Sequence, residues 1–227
     1  MLMNKYIYVS FLFSDDFLEN IIYLYYSYLR INSKYPFLVL YIDKASQQSL
    51  DKLTALGIKH QWIPTNYDSP DNWDVNITSV FNLIEYDKII YISKNYIFLK
   101  NTDFIFDLKG FPFFWEWPLK QAKRIKTFWF CCVPDQTVYQ LAQNDYNTIH
   151  NSEEELYKLF IKDKIKYSRT IMRYPAFVNC WYYLTKDDLQ SFEKEENVQL
   201  NLEKILNNKE KILQYKYLYY TMIPKYN

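Results

Sequence analysis

Residues 86–101 read YDKIIYISKNYIFLKN. Ile89-Ile90-Tyr91-Ile92 is a short β-branched and aromatic run, the pattern of a strand buried on both faces. Ser93-Lys94-Asn95 follow, and then a second apolar run, Tyr96-Ile97-Phe98-Leu99. A polar triplet between two strand-like runs is a common place to hold a ligand, and this one has a cation at its centre.

The same alternation extends upstream. Tyr6–Phe13 is apolar and rich in strand formers, and Ser14-Asp15-Asp16 ends it. Asp15 or Asp16 is expected to cap the next helix. Phe17–Asn32 is apolar around nearly its whole circumference, which predicts a well-buried helix. Tyr35–Ile42 predicts a second strand. Gln47–Leu56 predicts a more exposed helix, with Leu50, Leu53 and Leu56 at helical spacing and Gly57 as its C-cap. Ile58–Ile63 is a third strand, 64–74 an irregular loop, Ile77–Glu85 a helix and Lys88–Ile92 a fourth strand. Alternation of this kind predicts an α/β fold, a mainly parallel twisted sheet with helices on both faces. Ligands in such folds sit outside the carboxyl ends of the strands. Ser14-Asp15-Asp16 and Ser93-Lys94-Asn95 both fall there.

After Leu108 the pattern loosens. Phe111–Pro118 reads as an aromatic loop, whose Trp115 and Trp117 either offer ring faces to a ligand or cover a core. Lys120, Lys123, Arg124 and Lys126 form a basic cluster, a solvated face or a phosphate clamp. Thr127–Val133 predicts a strand and Asp135–Asn144 a helix. Ser152 and Glu155 make a capping box ahead of Leu156, Leu159 and Phe160. Val178–Leu184 predicts a strand, Lys186-Asp187-Asp188 starts a helix, and Asn201–Leu213 predicts another. The Tyr-rich end, Gln214–Ile223, is expected to pack back over the body.

Composition narrows the function. The chain has 227 residues, 27 Lys plus Arg against 26 Asp plus Glu, and a net charge of +1. Nothing global draws it to nucleic acid or an anionic membrane. With only 2 glycines it cannot form the Gly-rich phosphate loops of Rossmann or P-loop proteins. Cys131, Cys132 and Cys180 are too few for a disulfide framework, and the adjacent Cys131-Cys132 read as buried small apolar residues of a reduced protein. His150 has no identifiable catalytic partner, and no Ser-His-Asp, Cys-His or zinc spacing occurs. The amino-terminal apolar run carries Lys5 and lacks a small-residue cleavage site, so it reads as a strand and not a signal peptide. No segment approaches 18 apolar residues, so no membrane span is expected. The sequon at Asn76 is expected to be unused, and the location cytoplasmic.

The segment from Tyr86 to Leu108 resembles family-8 glycosyltransferases, the glycogenin and lipopolysaccharide galactosyltransferase type. Tyr86, Lys88, Asn101, Asp103, Phe106, Asp107 and Leu108 fit that pattern. The first strand, Ser14-Asp15-Asp16 and the buried helix after it fit too. The later matches are fainter: Phe130–Gln140, and Tyr174-Pro175-Ala176-Phe177-Val178-Asn179. The resemblance implies a single GT-A-like nucleotide-sugar-binding domain over 1–227. Residues 1–110 would form the nucleotide half and 111–227 the acceptor half. It implies transfer of a hexose from a UDP-sugar to a glycan or protein acceptor, with retention at the anomeric carbon. Leu12, Ser14, Asp15, Ser93, Lys94, Asn95, Glu153 and Glu154 would be the substrate-binding residues.

The family's Mn²⁺ is held by an Asp-x-Asp pair, and here Ser93 and Asn95 stand in those places. Neutral oxygens give a hard divalent ion no charge compensation, so no metal is assigned. Other positions also depart. A small-residue turn falls at Lys126-Thr127-Phe128, a nucleotide-reaching lysine at Ile77, and a metal-binding histidine has no counterpart beside His60 and His150. Two readings stand together: a glycosyltransferase with an altered, metal-independent site, and a catalytically inactive homologue acting as a binding or interaction module. A third is an unrelated nucleotidyl-type α/β enzyme, for which Asp15-Asp16 is the one carboxylate pair at a strand end. Lys94 is either a phosphate-binding cation or a solvated turn residue. A strict alternation with Ser93 and Asn95 in the cleft would turn it away.

Overall fold

The computed structural model describes residues 5–64, 77–108, 113–116, 126–140, 143, 180–184, 186–192 and 197–212. Its centre is a six-stranded sheet. The strands are β1 (Tyr6–Leu12), β2 (Phe37–Tyr41), β3 (Lys59–Trp62), β4 (Lys88–Ile92), β6 (Phe113–Glu116) and β7 (Lys126–Cys132). They lie in the order β3-β2-β1-β4-β7-β6. The first four are parallel, while β7 runs antiparallel to β4 and β6 antiparallel to β7.

The apolar runs of β1, β2 and β4 follow from this position, because central strands are buried on both faces. Tyr8, Leu12, Val39, Ile90 and Ile92 pack on one face, with Ile21 and Leu24 of helix α1 (Leu18–Arg30) and Leu53 of helix α2 (Gln47–Ala55). Val9, Phe11, Leu40, Ile89 and Tyr91 pack on the other, with Val80, Phe81 and Val138. Each such aliphatic side chain contributes about 1.5–3 kcal/mol by leaving water. Cys131 and Cys132 are buried free thiols, as expected, and Cys180 is another. Burial pushes the Cys131 thiol up to about 12, partly offset by the Lys88 charge.

Helix α1 is apolar almost all round because it is sandwiched. A second, two-stranded sheet of β5 (Tyr96–Phe98) and β8 (Trp181–Tyr183) lies against it. Ser27 Oγ accepts from the Phe98 amide at 3.0 Å, tying helix to strand. The segment from Lys186 is helix α3 (Lys186–Phe192). Its buried Asp188 pairs with Lys211 and accepts from the Tyr182 hydroxyl. Helix α4 (Val198–Asn207) adds Leu202 and Ile205 to this outer core, and Asn201 Nδ2 donates to the Tyr23 hydroxyl.

Three expectations need correction. The sequence predicts an α-helix over 77–85, but Ile77–Asn82 is a 3₁₀ helix, and i+3 bonds continue after it (Leu83 N to Val80 O, Tyr86 N to Leu83 O). Val80 and Phe81 are wholly buried there, and the tighter coil suits a short segment pressed on a sheet. Within the expected aromatic loop at 111–118, Phe113–Glu116 is an edge strand, with a register shift between Phe114 and Trp115. Aromatic residues favour a pleated surface, and an edge tolerates flanking prolines. Neither Asp15 nor Asp16 caps α1. A 3₁₀ turn at Asp15–Phe17 intervenes, and Asp15 serves a different helix.

Among the described residues no helix is long and apolar enough to cross a membrane. The capping box at Ser152, the basic residues Lys120, Lys123 and Arg124, His150, the Tyr174–Asn179 stretch and the Gln214–Ile223 segment lie outside the described residues.

Candidate functional site

The strand order reverses beside β1. The chain builds β1, β2 and β3 in one direction, then places β4 on the other side of β1. Such a switch point opens a crevice at the carboxyl ends of the two strands. Here those ends are Leu12 to Asp15 and Ile92 to Asn95. Pairing runs from Tyr6↔Lys88 to Val9↔Tyr91, and Ser10 Oγ donates to the Ile92 carbonyl at 2.8 Å, so β4 ends beside Ser10 while β1 runs on to Leu12.

The polar triplet is a turn and not a strand continuation. Tyr96 N donates to Ser93 O at 3.1 Å. Asn95 is fixed twice: its carbonyl accepts from Leu184 N at 2.8 Å, and its Oδ1 accepts from Nδ2 of buried Asn20 at 3.1 Å. The turn breaks the period of two, so Lys94 does not point away from β1. Its Nζ lies 4.8 Å from the centre of the Phe13 ring and 3.8 Å from that of Phe17. Two aromatic faces thus seat one ammonium at the tip of the leading strand, an attraction of about 0.5–2 kcal/mol per contact.

The other expected residues sort by what they touch. Leu12 ends β1 with its side chain fully buried in the α1-side core. Ser14 is extended, and its Oγ is buried without a hydrogen-bond partner among the described residues. Asp15 Oδ1 accepts from Ser46 N at 2.8 Å and Ser49 Oγ at 2.6 Å, which clamps the start of α2 to the end of β1. These bonds, that from Ser49 first, hold its carboxyl below the usual range. Glu153 and Glu154 lie outside the described residues.

The matching residues of the Tyr86–Leu108 segment are builders of the fold. Lys88 Nζ donates to the carbonyls of Phe106 at 2.6 Å and Leu108 at 2.7 Å. Asp103 accepts from the Tyr8 hydroxyl, Ser33 Oγ and Lys34 N, so it fastens the loop before β2. Burial, with the Asp103 charge adding to it, raises the Tyr8 hydroxyl far above its ordinary value.

The Mn²⁺ implied by the resemblance does not fit. Asn95 Oδ1 is already an acceptor for Asn20, Ser93 offers a neutral hydroxyl, and an ammonium stands between them in the chain. Among the described residues no three His, Cys, Asp or Glu side chains gather as a ligand set.

No family model and no curated protein matches the sequence. Solved structures do match in shape. The galactosyltransferase LgtC, in complex with donor and acceptor sugar analogues, superposes with TM-score 0.50 at 8% identity, over 67% of this chain and 69% of that one. An active-site mutant of LgtC gives TM-score 0.52 at 9% identity, over 69% and 70%. The fold is GT-A-like, an α/β sheet of mostly parallel strands matching that of LgtC. The Streptococcus pneumoniae glycosyltransferase GlyE gives TM-score 0.48 at 11% identity, over 83% of this chain. This chain spans 47% of GlyE.

Sequence reading missed Phe13, Phe17 and Asn20. Asn20 left a signal, a lone amide near the start of an otherwise apolar helix. Ser46 and Ser49 were legible as a helix start but not as partners of Asp15, since 31 residues separate Ser46 from that carboxylate.

Proposed function

We propose that the chain is a glycosyltransferase that takes a hexose from a UDP-sugar, without a divalent metal at Ser93 and Asn95. In such a transfer the bond from the anomeric carbon to the β-phosphate oxygen breaks, and its electron pair leaves with UDP. An acceptor hydroxyl of a glycan or protein bonds to that carbon and gives its proton to the departing phosphate oxygen or to water. The donor would lie at the β1/β4 switch point, against the backbone at Leu12, and Ser14, Asp15, Ser93, Lys94 and Asn95. Glu153 and Glu154 are proposed on the acceptor side. The observation that carries this reading is the Lys94 ammonium seated on Phe13 and Phe17 where the parallel strands β1 and β4 end, at the switch point of a GT-A-like sheet. Release of UDP from UDP-glucose or UDP-galactose, measured in chelator and again with Mn²⁺, tests it. Turnover in chelator supports the proposal.

A second reading is an inactive homologue that holds a nucleotide or a partner. Two observations favour it: Asn95 Oδ1 is engaged by Asn20, and Asp15 by Ser46 and Ser49. A thermal shift by UDP without turnover of any UDP-hexose would select it.

A further inference from the structure

Among the described residues no set of carboxylates gathers as a metal site at the β1/β4 switch point, and the turn after β4 holds an ammonium there. We infer that Lys94 is the counter-charge for the diphosphate of a nucleoside diphosphate, and that binding there is independent of divalent cations. The inference rests on the nucleotide-sugar reading above.

Three features of the turn carry it. First, Lys94 is the central residue of Ser93-Lys94-Asn95, directly after the last residue of β4, where a GT-A switch point receives its ligand. Second, it is half-buried and held on the rings of Phe13 and Phe17, not spread into solvent. An aromatic face attracts a cation electrostatically, so the two rings hold the ammonium at the β1 tip. Third, the turn is anchored through Ser10, Asn20 and Leu184, so ligand binding would meet a fixed backbone. Fixed positive groups aimed at phosphate cost no reorganisation when charge develops on the leaving diphosphate.

Ser14 Oγ adds an independent sign. Buried hydroxyls nearly always have a partner. This one has none among the described residues, and it follows Phe13, one of the two rings that seat Lys94. We assign it to the same ligand as a neutral hydrogen-bonding group.

Calorimetric titration of the full chain with uridine and with UDP, in chelator and then in Mn²⁺, tests the assignment. The wild type should bind UDP more tightly than uridine in chelator, and Mn²⁺ should not change the UDP affinity. Lys94→Gln should weaken UDP about tenfold, the size expected for a charge-assisted bond, and leave uridine within about twofold. Lys94→Arg should restore most of the difference, and Lys52→Gln, an exposed change on α2, should do nothing. Equal weakening of both ligands by Lys94→Gln, or UDP binding that appears only with Mn²⁺, overturns the inference while leaving the nucleotide-sugar reading intact. Failure of the wild type to bind either ligand overturns both.

Discussion

The ammonium of Lys94 lies 3.8 Å from the centre of the Phe17 ring, a residue of the turn that leads into α1. This contact joins the turn after β4 to the turn after β1, beside the Ser10 Oγ hydrogen bond to the Ile92 carbonyl. Truncating the ring by Phe17→Leu should destabilise the chain by about 1 kcal/mol. Lys94→Gln should cost about the same, and the double variant less than the sum, with a coupling of about 0.5–1 kcal/mol. Chemical denaturation of the four proteins measures this. Strict additivity would show that the pair contributes nothing.

Ser14→Ala separates structural from ligand roles. A hydroxyl that bonds nothing in the folded chain is a cost of about 1–3 kcal/mol when buried, so its removal should leave stability unchanged or raise it. UDP affinity should fall about threefold, the lower range of a neutral hydrogen bond. A fall in stability would place a partner for Ser14 within the protein.

Asp15 holds the start of α2, and its folded pKa is lowered by the bonds from Ser49 and Ser46. A depressed carboxylate stabilises the fold above its unfolded pKa. That stability is lost as pH falls from the ordinary value of 3.8 through the lower folded value. The acid limb of a stability profile should therefore soften below about pH 4 in Asp15→Asn. The carboxylate is exposed, so at neutral pH the substitution should cost no more than about 1 kcal/mol. An unchanged acid limb would show that the bonds to α2 do not survive in solution.

How much of this was legible can be traced through the same residues. The parallel order could be read because β1, β2 and β4 are continuous apolar runs, which only strands covered on both faces require. The 3₁₀ helix at 77–82 and the edge strand at 113–116 could not, because tertiary packing and not local propensity chose them. At the site, Ser14, Asp15 and the triplet stand out by their position after strands. The direction of Lys94 does not, because one i+3 bond from Tyr96 to Ser93 cancels the alternation on which it depends. Asp15 looks like a cap for its own helix, since sequence spacing does not reveal a carboxylate that reaches a helix beyond the next strand.

Asp103 tests whether the family-like segment serves fold or chemistry. It accepts from Tyr8, Ser33 and Lys34, near the amino ends of β1 and β2, away from the carboxyl-end crevice. Asp103→Ala should leave those donors short of an acceptor and cost about 2–3 kcal/mol. UDP affinity, measured below the melting temperature, should stay within about twofold. A selective loss of UDP binding with stability intact would move Asp103 into the functional site.

A metal site can be rebuilt in the turn. Ser93→Asp with Asn95→Asp places two carboxylates there, and the one introduced at position 95 would still accept from Asn20 through one oxygen while offering the other. Hard divalent cations take such oxygens readily beside a diphosphate. The double variant should bind Mn²⁺ in the presence of UDP, seen as loss of the free Mn²⁺ electron paramagnetic signal, whereas the wild type should leave that signal unchanged. Lys94 would oppose the ion by repulsion, so adding Lys94→Gln to the double variant should tighten Mn²⁺ further, by a few-fold at an effective dielectric typical of protein surfaces. The wild type quenching the signal with UDP would mean that ligands outside Ser93 and Asn95 hold the ion, and a lysine counter-charge would then be unnecessary.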